Sequence, residues 1–136
     1  MTVAPLLDTH VWIWWVEGAP DLAVKDRDVL DALPEQYRPH LSAISLWELS
    51  ILIQKRRYTP AGDLGEWLSL AAGPATVKIE PISLSVARQL LEIPSSFHSD
   101  PADRMIVATA RALGVPLLTY DKRIRQSGLV KLWKSR

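Results

Sequence analysis

The chain of 136 residues is 48% hydrophobic and 23% charged, which suits one domain with a buried core and excludes a disordered chain. Its 16 lysines and arginines against 15 aspartates and glutamates leave a formal net charge of +1, so overall charge selects no partner. The absence of cysteine excludes a disulfide framework, a thiolate nucleophile and a zinc–thiolate site.

Residues 3–7 (VAPLL) predict a short buried strand that runs straight into Asp8. THVWIWWVEG then predicts a helix stopped by Gly18, and LAVKDRDVLDAL a second helix ended before Pro34. PHLSA predicts a strand, and SLWELSILIQKRR a strongly apolar helix whose basic last turn suits the helix dipole. A helix follows over 62–72, and the β-branched alternation of ATVKIEPI predicts a strand. SLSVARQLLEI and DPADRMIVATARALG predict helices, the second closed by Gly114; VPLLTY predicts a strand, DKRIRQSG a turn or short helix, and LVKLW a last strand. Such alternating βαβα units imply a parallel sheet with helices on both faces. The apolar run at 11–16 is far too short to span a bilayer. The opening MTVAPLLDTH lacks the basic stretch of a secretion signal, so the expected location is the cytoplasm.

Four acids fall in equivalent places. Asp8 follows the first strand, Glu48 lies early in the helix after PHLSA, Asp103 lies in the first turn of the helix from Asp100-Pro101, and Asp121 follows VPLLTY. An open parallel sheet binds its ligands beyond the carboxyl ends of its strands, so these acids are expected to converge there. Carboxylates gathered without bases need a hard cation, and magnesium or manganese takes oxygen ligands. Each acid also fits a helix start: Asp8 as a cap before Thr9, Ser45-Leu46-Trp47-Glu48 as a capping box, Asp103 as a first-turn acid behind the cap Asp100 and Pro101, and Asp121 as a cap before KRIRQ. Spacing alone does not decide between the two readings.

LLDTHVWIWW, SAISLWELSILIQKRR, HSDPADRMIVATARALG and VPLLTYDKRI resemble, in order, the four motif blocks of PIN-domain ribonucleases, and most closely the VapC toxins of bacterial type II toxin–antitoxin pairs. The resemblance covers nearly all of residues 1–136 as one PIN domain. It implies a three-layer α/β/α fold with a mostly parallel central sheet, and an endoribonuclease that uses Mg2+, or Mn2+, to hydrolyse RNA phosphodiester bonds. Its metal-binding, catalytic acids would be Asp8, Glu48, Asp103 and Asp121. Thr119 matches the hydroxyl residue near the fourth acid, and Asp100 a flanking acid that caps its helix first and tunes the metal second. The implied partners are an RNA substrate, a VapB-like antitoxin and a second copy of the chain, with no membrane.

Arg104, Lys122 and Arg123 are the candidate RNA contacts, and residues 122–136 carry six bases and no acid. His98, next to the third block, is a candidate substrate contact. Ser42, Ser45 and Ser99 lack a His–Asp partnership, which argues against a serine nucleophile. The six tryptophans exceed what a core of this size requires, so Trp12, Trp15 and Trp47 are expected to give part of their surface to dimer and antitoxin contacts. A dehalogenase-type phosphatase needs an acid two residues after the first, where this chain has His10; a receiver-type domain needs a paired acid after the first strand and another at the middle strand. The remaining alternative is an inactive PIN-fold module that binds antitoxin or RNA without cleaving it.

Overall fold

The computed structural model describes residues 3–134. Four parallel strands form one sheet: β1 (Leu6–Leu7), β2 (His40–Ser42), β3 (Lys78–Glu80) and β4 (Leu117–Leu118), in the order β3-β2-β1-β4. The chain steps outward from β1 to β3 and then returns to the other side of β1. The order therefore reverses between β1 and β4, where an open sheet leaves a crevice. LVKLW contributes one parallel bridge, Leu132 beside Leu117, in place of the full fifth strand expected.

Among the described residues seven helices flank the strands: α1 (Thr9–Glu17), α2 (Val24–Asp31), α3 (Ala43–Gln54), α4 (Leu64–Ala71), α5 (Leu84–Glu92), α6 (Pro101–Leu113) and α7 (Lys122–Ser127), with a 3-10 turn at Glu35–Tyr37. Gly18 and Gly114 end α1 and α6 in the left-handed region (φ +67° and +68°), which glycine enters without steric cost.

The strand period of two divides the core. Leu7, Leu41 and Leu118 pack with Val11, Trp12, Leu30, Leu49 and Ala71, so α1 to α4 cover one face. Leu6 and Leu117 pack with Val86, Ile106, Val107 and Ile124, so α5 to α7 cover the other. The result is a three-layer α/β/α fold whose sheet is wholly parallel.

Trp12 corrects an expectation. It is fully buried and donates its indole N–H to the Ala71 carbonyl at 2.8 Å, so it offers no surface to a partner. Trp15 is half-buried and tied to Asp31, whereas Trp47 is 53% exposed on α3.

Candidate active site

The four acids do converge. Asp8, Glu48, Asp103 and Asp121, with Asp100, line one cavity of about 280 Å³ beyond the carboxyl ends of β1 and β4. His10, Val11, Trp14 and Tyr120 complete its wall. A roomier cleft of about 570 Å³ lies at the other end of the strands, among Tyr37, Arg38, His40 and Lys78. It gathers no acid cluster, so size does not mark the chemical site here.

Asp8 occupies the N-cap position of α1, yet its side chain caps nothing. It is 6% exposed, and its Oδ2 accepts the Thr119 hydroxyl at 2.6 Å. Thr119 in turn accepts the backbone N–H of Asp121 at 3.1 Å. Asp121 does cap α7, through Oδ1 to the Ile124 N–H, which leaves its second oxygen for the cavity. Asp100 caps α6 through Oδ1 to the Asp103 N–H at 2.9 Å, as its place before Pro101 suggested.

The capping box read at Ser45–Glu48 does not form. α3 begins earlier, at Ala43, and its cap is Ser42, which accepts the Ile44 N–H at 3.2 Å. Ser45 is buried against Thr9, hydroxyl to hydroxyl at 2.7 Å, and Glu48 falls in the second turn facing the cavity. The pairing of Thr9 with Ser45 was not legible in the sequence, because it spans two elements.

Electrostatics mark the same spot. Burial pushes the Asp103 carboxyl up to about 7, and the charges of Asp8, Asp100, Asp121 and Glu48 add to the rise. Burial also raises the Asp8 carboxyl, against the pull of the Thr119 hydroxyl, and raises that of Glu48. Among the described residues no lysine or arginine stands within ion-pair reach of these four acids. The one basic contact is His98, whose Nε2 is 3.2 Å from Asp103 Oδ2. That approach lacks hydrogen-bond alignment, and neither ring nitrogen of His98 has a hydrogen-bond partner among the described residues.

A PIN-domain family model matches residues 6–128, nearly the whole described chain. The chain belongs to the PIN-domain family. It is 39% identical over 121 residues, 88% of each chain, to Ribonuclease VapC22 of Mycobacterium tuberculosis. Its fold is similar to that in the DNA-bound VapBC structure from Salmonella typhimurium (TM-score 0.71, 18% identity, 97% of this chain and 98% of that one). FitAcB from Neisseria gonorrhoeae is similar too (TM-score 0.66, 24% identity, 95% and 96% covered).

The bases around this PIN site divide into two kinds. Arg104 turns inward and donates to the carbonyls of Ile93, Pro94, Phe97 and His98 at 3.2–3.4 Å. It pins the segment that carries His98 and Asp100, which is a different task from the RNA contact expected. Lys122 and Arg123 are exposed beside Asp121, and Arg123 lines a second cavity with Phe97 and His98. No helix among the described residues is long and apolar enough to cross a membrane.

Proposed function

We propose that this chain is the toxin of a toxin–antitoxin pair, a divalent-metal-dependent endoribonuclease of the cytoplasm. The observation that carries the reading is the convergence of Asp8, Glu48, Asp103 and Asp121 on one cavity with no lysine or arginine among the described residues paired to them. Ribonuclease VapC22, similar over most of its length, supports RNA as the substrate.

The donor set fits Mg2+ or Mn2+. Every oxygen offered by the four acids is a carboxylate oxygen, and hard cations take that chemistry. Among the described residues no three acidic or histidine side chains stand ready-closed as a metal cage. Magnesium commonly takes one or two carboxylates, keeps several waters and shares substrate phosphate oxygens, so an open acid ring suits it. When bound, such an ion supplies an activated water and neutralises charge that develops on the phosphate.

The chain's own residues hold and orient. Thr119 fixes Asp8 against Asp121, and Asp121's cap bond fixes its free oxygen. Glu48 and Asp103 close the ring from α3 and α6, which pack on each other. Among the described residues no serine lines the cavity, and the Tyr120 hydroxyl is engaged by Asp26 and Ala23, which supports a metal-activated water as the nucleophile over a hydroxyl side chain. Lys122 and Arg123, exposed beside Asp121, are the bases this reading assigns to the phosphate backbone. A VapB-like antitoxin and a second copy are the expected protein partners; exposed Trp47, next to Glu48, is an aromatic available to them.

The test is cleavage of a labelled single-stranded RNA with magnesium or manganese. Asp8→Asn and Asp103→Asn should each slow it by orders of magnitude while far-ultraviolet circular dichroism stays unchanged. Activity that survives exhaustive EDTA treatment would overturn the metal-dependent reading.

A further inference from the structure

One wall of the acid cavity is aromatic. Trp14 projects from α1 and meets Tyr120 nearly edge-on, with ring centroids 5.5 Å apart at 66°. His10 stands one turn before Trp14, its ring 6.1 Å away. Tyr120 is locked from behind: its hydroxyl donates to Asp26 Oδ2 at 2.6 Å and accepts the Ala23 N–H at 2.9 Å. Trp14 and Tyr120 are half-buried; each rests on the core beneath α1 to α4 and also borders the cavity. Of the three indoles on α1, Trp12 and Trp15 donate to Ala71 and Asp31, whereas Trp14 donates to no acceptor among the described residues.

This placement has a chemical consequence that rests on the ribonuclease reading above. A ring of carboxylates repels the RNA backbone except at the metal and at the flanking bases Lys122 and Arg123, so on the α1 side of the cavity grip close to the cut falls to uncharged surface. A nucleobase offers a π-face, and an aromatic side chain binds it without regard to its identity. We propose that Trp14, braced by Tyr120, is the stacking face for an unpaired nucleobase next to the cleaved bond. Trp14 touches substrate; Tyr120 is a positioning residue that acts through it. The site then selects RNA whose base has left its helix, since a paired base cannot turn onto the ring.

Packing alone would also place an apolar side chain at this position, and two substitutions separate the cases. Trp14→Leu keeps apolar bulk without a π-face, whereas Trp14→Phe keeps a smaller π-face. Binding is read by anisotropy of a fluorescein-labelled single-stranded RNA, with magnesium, in a cleavage-dead Asp103→Asn background. Stacking predicts that Trp14→Leu weakens binding on the order of tenfold while Trp14→Phe loses clearly less. In the active chain, one abasic substitution beside the cut should lower kcat/KM for the native protein and have no effect on the Trp14→Leu variant. Equal behaviour of the Leu and Phe variants, or duplex RNA bound as tightly as single strands, overturns the proposal. If the binding pattern holds but the native chain cleaves no RNA, the ribonuclease reading fails and the platform stands. Cleavage with Trp14→Leu at the native rate does the reverse, and neither binding nor cleavage sinks both.

Discussion

Thr119 donates its hydroxyl proton to Asp8 Oδ2 at 2.6 Å, and its oxygen accepts the Asp121 backbone N–H, so one side chain ties together the acids beyond β1 and β4. Thr119 is fully buried, so nothing else replaces it. Thr119→Val keeps shape and removes both bonds. It should lower stability by about 2–3 kcal/mol, the range for a lost bond to a charged partner plus an orphaned N–H, and reduce cleavage at least tenfold. Thr119→Ser should retain most of both. Urea melts and cleavage rates of the pair check this; a valine variant matching the serine variant in both would remove Thr119 from the site.

Asp8 makes the second prediction. Its side chain caps no helix, so Asp8→Asn loses no cap, and an amide oxygen still accepts the Thr119 proton. What disappears is a buried negative charge near Asp121 and Asp103. Metal-free stability should stay level or rise although activity is lost. Millimolar magnesium should raise the melting temperature of the native chain by mass action, and that of the variant less. A destabilised variant with no magnesium response in either protein would mean that Asp8 serves the fold and not a metal.

The order of elements was legible because its punctuation is local: Gly18, Gly114 and Asp100-Pro101 each mark a helix end by their own backbone chemistry. Strand lengths were not. VAPLL and VPLLTY shrink to Leu6–Leu7 and Leu117–Leu118. Pro5, Pro39 and Pro116 stand just before β1, β2 and β4; each offers a carbonyl to the neighbouring chain, to His40, Lys78 and Leu6, but no N–H in return. The acids were legible as a set because Asp8 and Asp121 directly follow strands and Glu48 and Asp103 lie in the opening turns of helices. Their individual duties were not, since a cap at Asp121 and a missing cap at Asp8 depend on side-chain rotamers. Arg104 misled for a related reason. A guanidinium beside a catalytic motif looks like a phosphate ligand until the carbonyls that surround it are known.

Asp103 sets a pH dependence. Its carboxyl is pushed from an ordinary 3.8 to about 7 in the folded chain, so between those values the folded state holds more proton than the unfolded one. Stability therefore falls as pH rises through this window, and the contribution is fully present only below about 4. Asp8 and Glu48, also raised, act in the same direction. In EDTA the native chain should melt at lower temperature at pH 8 than at pH 5, and Asp103→Asn should flatten part of that slope. Adding magnesium should reduce the loss at pH 8. An Asp103→Asn profile that parallels the native one would show that this carboxyl ionises normally.

Arg104 and Arg123 should fail in different ways, because one faces the protein and the other the solvent. Arg104 donates to four backbone carbonyls between Ile93 and His98. Arg104→Gln leaves several of these half-buried carbonyls short of a donor and frees the segment that carries Asp100, at about 1–3 kcal/mol. It should lower the urea midpoint clearly. Arg123→Gln and Lys122→Gln, on exposed side chains, should leave that midpoint within about 0.5 kcal/mol of native. Those two should instead weaken RNA binding alike across sequences and reduce the slope of log affinity against log salt by about one each. Salt titrations from low to moderate ionic strength, run beside the urea melts, give both readouts on the same three variants. An Arg104→Gln protein that melts like the native chain but loses a unit of salt slope would move Arg104 back to the RNA, and a flat response from Lys122→Gln and Arg123→Gln would clear the α7 face of that role.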